Sequence, residues 1–451
     1  MIFSRYLRTL ERDGTIAVFH ALKPIPAFVD TTAWQEFFQS MDDEALRSWL
    51  DGQGLLVESE VEDDLFRDAI VEETLTKRMM SILYLVLTKA CNFRCRQCFQ
   101  PERHPNDRLD LVGSASLMTK ETARLGIDAF AHHLTESEAD GLEPQIYFYG
   151  GEPLLNWDVL VDAVEYVEVL RGRELPTEIG FVVITNGSLV DHEKAAFFAR
   201  HNIGVGLSID GPKEKNDAFR ILAHGQGTYD KIVSALHILQ ENGVGVTLSI
   251  TINPNIADDL PGIIQWAKEE LGVDSVSFNM VGGGSYAHTS AEFSLEAYND
   301  MVATGLVEAY QLARNIGLHE DRVGRKAEDF IYHSFKAVDC GAVNNQLVIQ
   351  PDGSIAFCHA STEYNVGSVR DSEFRIFGHP AIQAWEDVLP IHNPKCQSCL
   401  AMSICGYGCF HHMLELDRPL AGGDDQFCLH TRRVMDFLVW DLLAQSQQQE
   451  E

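Results

Sequence analysis

Length, composition and charge exclude several classes of protein. The chain has 451 residues, 45% of them hydrophobic and 23% charged, which indicates a folded globular protein of about two or three domains. Its 35 Lys and Arg against 67 Asp and Glu give a net charge of −32, which excludes a nucleic-acid partner because such a surface repels phosphate. A basic peptide would be attracted, although an acidic surface that only maintains solubility explains the charge as well.

The sequence contains no run of about 18 apolar residues that could span a membrane. The first 13 residues are charged and lack the apolar core of a signal peptide. We therefore expect a cytoplasmic protein without a membrane partner.

Residues 1–80 contain scattered signals for regular structure. Thr15–His20 has the character of a strand, Trp34–Ser40 and Glu44–Leu50 have helical spacing, and Gly54–Val57 leads into acidic residues. This combination predicts a small α+β module of the winged-helix type. A dimerisation or packing module explains it equally.

From about residue 82 to 285, short β-rich runs alternate with amphipathic stretches. The β-rich runs are Ile82–Leu87, Gln145–Tyr149, Gly180–Ile184, Gly204–Ile209, Val244–Ile250 and Val273–Asn279. The helical stretches are Leu117–Leu134, Trp157–Leu170, His192–Arg200, Tyr229–Gln240 and Asp258–Leu271. Six strands are too few for a closed eight-stranded barrel, so the sequence predicts an α/β fold with a partial (β/α)6 barrel of the TIM type, or an open doubly wound sheet.

Polar, glycine-rich motifs follow the first four of these runs. They are Cys91-x3-Cys95-x2-Cys98, Gly150-Gly151-Glu152-Pro153, Thr185-Asn186-Gly187 and Asp210-Gly211-Pro212. Because the carboxyl ends of parallel strands meet at one edge of a sheet, we expect these motifs to form one site.

The chain after the predicted barrel changes character. Ser294–Gly317 has the spacing of a long helix, and residues 340–428 are turn-rich and dense in cysteine, as in segments that need metal to fold. A terminal helix is predicted at about His430–Ala444. The predicted domains are a module at 1–80, a barrel at 81–290, linking helices at 291–339 and a cysteine-rich domain at 340–451.

The ten cysteines fall into two groups, and in a reducing compartment such groups indicate metal ligation or catalysis. Cys91, Cys95 and Cys98 on one loop can hold a cubane cluster and leave one iron without a thiolate. Zinc is the alternative, but the nearest further ligand, His104, is poorly spaced.

The spacing of Cys91, Cys95 and Cys98 after the first barrel strand resembles the signature of the radical S-adenosylmethionine (SAM) superfamily. The resemblance implies a 4Fe-4S cluster whose open iron binds S-adenosylmethionine. It also implies a reductant of the flavodoxin or ferredoxin type, whose electron cleaves the cofactor to a 5′-deoxyadenosyl radical.

The same resemblance implies which residues contact the cofactor. They are Phe99, Gly150, Gly151, Glu152, Asn186, Ser208, Asp210 and Arg220. Glu152 would accept from the methionyl ammonium, Ser208 and Asp210 would contact the ribose and methionyl groups, and Arg220 would pair with the carboxylate; a surface ion pair is the alternative for Arg220. The family usually has an aromatic residue where this chain has Gln97, so Phe99 or Phe93 would take the adenine contact.

The second group resembles the seven-cysteine SPASM extension of peptide and protein maturases. It comprises Cys340, Cys358, Cys396, Cys399, Cys405, Cys409 and Cys428. The resemblance implies two auxiliary 4Fe-4S clusters, three clusters in all. Cys396, Cys399, Cys405 and Cys428 would hold one, and Cys340, Cys358 and Cys409 the other, with its fourth ligand open. A zinc ribbon at Cys396, Cys399, Cys405 and Cys409 is the alternative.

The expected function is that of a radical SAM oxidoreductase that cross-links a ribosomally made precursor peptide through a thioether or carbon–carbon bond. Maturation of a sulfatase to formylglycine or of a quinone-cofactor protein is the alternative. Sulfatase maturases carry Asp directly after the cysteine that Cys358 matches, whereas this chain has His359. His359, Glu363 and Tyr364 are candidates for proton transfer. A non-catalytic adaptor stabilised by zinc is the alternative of another class.

Overall fold

A computed structural model of the protein describes residues 1–98, 117–138, 143–281, 294–360 and 364–450. The chain divides into two compact units that do not follow its linear order. We call residues 78–322 and 341–384 the barrel unit, and residues 1–77, 323–340 and 385–451 the composite unit. No helix in the described residues is long and apolar enough to cross a bilayer.

The N-terminal module of the composite unit combines a three-stranded antiparallel sheet, a separate pair of short strands and three helices. The sheet has the order β2-β3-β4, with β2 (Leu7–Arg12), β3 (Thr15–His20) and β4 (Lys23–Asp30). The separate pair consists of β1 (Ile2–Phe3) and β5 (Leu56–Val57). Its helices are α1 (Thr31–Ser40), α2 (Glu44–Gly52) and α3 (Glu60–Thr74). Asp13 and Gly14, with φ of 50° and 78°, form the tight turn between β2 and β3.

The barrel unit contains the predicted βα repeats. The strands are β6 (Ile82–Thr88), β7 (Gln145–Gly150), β8 (Gly180–Thr185), β9 (Ile203–Ser208), β10 (Val246–Ile252) and β11 (Ser275–Met280). The helices are α4 (Lys120–Thr135), α5 (Trp157–Leu170), α6 (His192–Arg200), α7 (Lys213–Phe219), α8 (Tyr229–Glu241), α9 (Leu260–Glu269) and α10 (Leu295–Asn315). Strands β6 to β11 pair in parallel and in chain order, which confirms the predicted α/β fold with a partial barrel.

The parallel sheet extends beyond the six predicted strands. The added strands are β12 (His319–Glu320), β13 (Gln346–Ile349), β14 (Ser354–Ala356) and β15 (Asn365–Ser368). β12 pairs in parallel with β11 and β13 with β6, whereas β14 and β15 continue the sheet antiparallel beyond β13.

The two faces of the sheet differ in burial. Leu83, Leu85, Ile146, Phe148, Leu248 and Phe278 are fully buried on one face. Tyr84, Tyr147, Tyr149, Ser208, Ser249, Ser277 and Asn279 alternate with such residues and are half-exposed. The sheet therefore presents an open face that carries small polar side chains and aromatic rings.

The remaining helices are α11 (Asp321–Ile331), α12 (Pro380–Glu386), α13 (Phe410–Glu415) and α14 (Asp425–Glu450). In the composite unit, Tyr6 and Leu22 of the N-terminal module share a buried apolar cluster with Ile391 and Met402. The N-terminal module and the C-terminal cysteine segment therefore have part of their core in common.

Candidate iron–sulfur centres

The loop that carries Cys91, Cys95 and Cys98 follows β6 and is fixed by main-chain hydrogen bonds. The Arg94 N–H donates to the Ile221 carbonyl at 2.7 Å, and the Arg96 N–H donates to the Phe219 carbonyl at 2.9 Å. The chain between β9 and α8 thus holds the cysteine loop in place.

The three thiols of this loop lie close enough to influence one another. Burial raises the pKa of Cys95 to about 12, with Arg220 acting in the opposite direction and the neighbouring Cys91 and Cys98 contributing to the increase. Such a buried thiol ionises only when a nearby positive charge compensates, and the irons of a cluster supply that charge. The donor set therefore fits a cluster held by three thiolates.

Gly150 and Gly151 allow the end of β7 to lie against the chain that leads into the cysteine loop. A Cβ atom on Gly150 would lie 2.3 Å from the Thr88 carbonyl oxygen, and one on Gly151 would lie 2.0 Å from that of Ala90. Only glycine fits at these positions. The sequence pattern indicated a close approach to a ligand, and the structure shows a close approach to the chain's own backbone.

Glu152 is fully buried and connects the ends of β7 and β8. Its carboxylate accepts hydrogen bonds from the Thr185 hydroxyl at 2.7 Å and from the Asn186 N–H at 2.8 Å. Burial raises the pKa of Glu152 to about 7 against these stabilising bonds. Its predicted contact with a methionyl ammonium stays a prediction.

Asn186 lies beside the cysteine loop. Its side-chain amide donates to the Asn92 side-chain oxygen at 2.9 Å and lies 3.8 Å from the Cys91 sulfur. Ser208 ends β9 on the open face and lies opposite Ser249 of β10. Both residues are therefore on the side of the sheet where the sequence placed the cofactor, and their contacts with it stay predictions.

Asp210 and Arg220 form a buried ion pair. The Asp210 carboxylate lies 2.8 Å from both Nε and Nη2 of Arg220, and its side chain is 0% exposed against 10% for Arg220. The Thr251 N–H also donates to Asp210 at 2.8 Å. The alternative of a surface ion pair for Arg220 is wrong, because the pair is enclosed by the protein.

Gln97 has a structural role that sequence reasoning missed. Its side-chain amide donates to the Asp210 carboxylate at 2.5 Å, so the residue before Cys98 is linked to the buried ion pair. The sequence identified Gln97 only by the absence of an aromatic residue, and no local signal connects it with Asp210. Phe93 is only 1% exposed and packs inside the protein, so it is not available for adenine, and Phe99 lies outside the described residues.

The composite unit brings four thiols of the second group together. Burial raises the pKa of Cys396 and of Cys405 to about 12, and the neighbouring Cys428 and Cys399 contribute to the increase in each. We call Cys396, Cys399, Cys405 and Cys428 the four-thiol site. Cys340 and Cys409 also belong to this unit, and Cys358 belongs to the barrel unit, so the second predicted ligand set stays a prediction.

Among the described residues, no three His, Cys, Asp or Glu side chains converge closely enough to hold a single metal ion. A zinc site needs four ligands at about 2.0–2.3 Å from one ion.

The candidates for proton transfer differ in position. The His359 ring packs against Tyr84 and Tyr149, with centroid distances of 4.9 and 4.8 Å, on the open face of the sheet. Tyr364 is 6% exposed and packs against Phe357, and Glu363 lies outside the described residues. Of these three, His359 is the one that the structure places toward the open face.

Comparison with known proteins gives matches over the first cysteine group and over Cys340, Cys358, Cys396 and Cys399 of the second. The model of the radical SAM superfamily matches residues 85–267, and that of SPASM, an iron–sulfur cluster-binding domain, matches residues 340–400. The Fe-coproporphyrin III synthase of Methanosarcina barkeri is 32% identical over 386 residues, which cover 78% of this chain and 88% of that protein.

Two further relatives differ in how much of the chain they match. A cysteine-type anaerobic sulfatase-maturating enzyme of Clostridium novyi is 23% identical, and the match covers 78% of this chain and 93% of that enzyme. The crystal structure of Streptococcus suis SuiB bound to the precursor peptide SuiA has a TM-score of 0.50 at 13% identity and covers 92% of this chain and 97% of SuiB. The match with SuiB shows that this chain shares its fold.

Proposed function

Because the chain belongs to the radical SAM superfamily and carries a SPASM domain, we propose that it cross-links a ribosomally made precursor peptide. The new bond is a thioether or a carbon–carbon bond. The observation that carries the proposal is the N-terminal module, in which a three-stranded antiparallel sheet precedes three helices. Winged-helix modules of this kind hold a peptide by accepting it as an additional strand.

Each part of the site has a distinct task in this proposal. Cys91, Cys95 and Cys98 would hold the radical SAM cluster, and the second cysteine group would hold two auxiliary clusters. When bound, the clusters and S-adenosylmethionine supply the one-electron chemistry that removes hydrogen from the substrate. They also supply an acceptor for the surplus electron. The Asp210–Arg220 pair and Gln97 keep the cysteine loop in one geometry. The open face of the sheet gives the peptide a surface of hydroxyl, amide and aromatic groups.

The edge strands of the module support peptide addition. Arg12 and Thr15 flank the two-residue turn and form a hydrogen-bonded pair, so the N–H groups of Thr9 and Glu11 in β2 point away from β3. The other edge strand, β4, contains Pro24 and Pro26, which have no N–H to offer. The β2 edge is therefore the better site for an additional strand.

The surface of the module also favours a peptide with apolar anchors. Val61 and Leu65, one turn apart on α3, are 62% and 64% exposed, and Phe38 is 56% exposed. Residues 1–77 contain 16 acidic and 7 basic residues, a net charge of −9. We therefore expect a leader segment in which apolar residues are flanked by Lys or Arg.

The test uses the reconstituted full-length enzyme and a synthetic peptide that joins such a leader segment to a stretch with Cys and aromatic residues. Leu65→Asp should weaken binding of that peptide roughly tenfold or more, because burial of one leucine contributes about 1.5–3 kcal/mol. Val169→Asp, at a residue of α5 that is 60% exposed, is the matched control and should leave binding unchanged. Cross-linking itself is measured as the loss of two hydrogen masses from the peptide with S-adenosylmethionine and reductant.

Sulfatase maturation is the second candidate, and the similarity to the Clostridium novyi enzyme favours it. His359 follows Cys358 where those maturases have Asp, which weighs against it. An aldehyde on a sulfatase-derived peptide, with no cross-link in the precursor, would replace our proposal by this one. Formation of an iron porphyrin, the product class in the name of the 32% identical relative, would overturn both peptide functions. We also propose that a flavodoxin or ferredoxin is the electron donor for the cleavage of S-adenosylmethionine.

A further inference from the structure

Three cysteines of the four-thiol site lie on two short loops that end in Cys399 and Cys405, and Cys428 lies on α14. In the first, the Cys399 N–H donates to the Cys396 carbonyl at 2.9 Å, and in the second the Cys405 N–H donates to the Met402 carbonyl at 3.4 Å. Turns of this kind leave other carbonyl oxygens of the loop without a main-chain partner within the turn. The side chains that satisfy these carbonyls come from outside the cysteine segment.

Arg8 of β2 contacts the first loop. Its Nε donates to the Cys399 carbonyl at 3.1 Å, and its Nη2 donates to the Gln397 carbonyl. Its Nη1 donates to the carbonyls of Arg5 and Leu7, both at 2.8 Å, which fixes the plane of the guanidinium. A side chain of the N-terminal module therefore holds a cluster-ligand loop almost 400 residues later in the chain (a separation of 391).

Lys326 of α11 contacts the second loop. Its ammonium donates to the carbonyls of Ile404 and Cys405 at 3.1 and 3.3 Å, and lies 3.7 Å from the Asp339 carboxylate. The side chain is only 1% exposed. Burial of a cation is costly unless its surroundings compensate, and the two carbonyls with one carboxylate provide part of that compensation.

We infer that Arg8 and Lys326 are positioning residues for the auxiliary cluster at the four-thiol site, and that their charges raise its reduction potential. A cluster with four thiolates is an anion, and gaining an electron makes it more negative. Two cations near it therefore favour the reduced form, as suits an electron acceptor. The inference rests on the proposed ligand set, not on the identity of the substrate.

The test measures the potential of the auxiliary cluster in full-length protein. A Cys91→Ala, Cys95→Ala, Cys98→Ala background removes the radical SAM cluster, and the electron paramagnetic resonance signal that Cys405→Ala then abolishes is the one to follow. In that background, the variants Arg8→Gln and Lys326→Gln keep a hydrogen-bond donor but lose the charge. Each should lower the midpoint potential of the cluster or reduce its iron content. Arg8→Lys and Lys326→Arg should restore the potential and the iron content.

A control variant separates the charge at the site from general effects on the fold. Arg12 lies on the same strand as Arg8 but pairs with Asp436. Arg12→Gln should leave the potential unchanged. Full iron content with an unshifted potential in both Gln variants would overturn the inference. If Cys405→Ala abolished no signal, the ligand set itself would be refuted.

Discussion

The two candidate cluster sites are held by different kinds of contact. In the barrel unit, the loop of Cys91, Cys95 and Cys98 is held mainly by the backbone, through the hydrogen bonds at Arg94 and Arg96 and the close approach of Gly150 and Gly151. In the composite unit, Arg8 and Lys326 reach the four-thiol site from distant parts of the chain. A regular sheet positions its site through strand order, whereas a turn-rich segment depends on individual side chains.

The largest expected effect separates the two sites by function. Cys95→Ala should abolish formation of 5′-deoxyadenosine with S-adenosylmethionine and reductant, because the thiolate set at the sheet edge is then incomplete. Cys405→Ala should retain that reaction and lose only the cross-linked product. Both are measured by chromatography and mass spectrometry of one reaction mixture. Persistent 5′-deoxyadenosine in Cys95→Ala would show that the radical site has been misplaced.

A smaller effect tests the ion pair behind the radical site. Asp210→Ala should destabilise the protein by about 3–5 kcal/mol, because it leaves the buried Arg220 charge without its partner. The thermal midpoint of the reconstituted protein is the measurement. Asp230→Ala removes the partner of Lys213 at a side chain that is 77% exposed, and should cause no measurable change. Equal stability of the two variants would show that the pair does not support the cysteine loop.

The smallest expected effect is a pH dependence of the composite unit. Burial lowers the pKa of His20 to about 4, below the value of about 6.5 in an unfolded chain. The unfolded state therefore binds the proton more readily, and stability falls as the pH drops from about 6.5 to about 4, by somewhat more than about 3 kcal/mol in full.

Thermal midpoints and auxiliary-cluster signals at pH 7 and pH 5 check this dependence. The four-thiol site should lose its cluster on acidification before the radical site does, because His20 lies in the module that contains Arg8. His20→Gln should reduce the pH dependence, and His192→Gln, at an exposed position of the barrel unit, should not. Simultaneous loss of both clusters in the wild type would contradict the separate support of the two sites.

Much of the barrel could be predicted from sequence. Periodicity located all six central strands, and the limits of Trp157–Leu170 and His192–Arg200 agree with the helices in the structure. These segments are long and repeat their apolar residues regularly, so the pattern reflects one buried face. The additional strand β13 was missed because it has only four residues, and its pairing with β6 joins residues about 260 positions apart, as Gln346 and Ile82 do.

The N-terminal module was predicted less completely. Helix α3 was taken for an acidic run, because its first turn contains Glu60, Glu62 and Asp63. The structure buries Asp63, whose carboxylate accepts from the Ser4 hydroxyl at 2.5 Å and from the Arg5 N–H at 2.9 Å. The hydrogen-bond partners of this carboxylate are 59 and 58 residues away, so local periodicity cannot predict its burial.

Cysteine spacing and strand periodicity alone determined the family and the parallel sheet, because both are short-range patterns of covalent sequence. Only the tertiary structure decided that Gln97 and Arg220 meet at Asp210, and that Arg8 and Lys326 contact the loops of Cys399 and Cys405. Such contacts depend on which distant segments pack together, and that is set by the burial of the whole chain rather than by any local pattern.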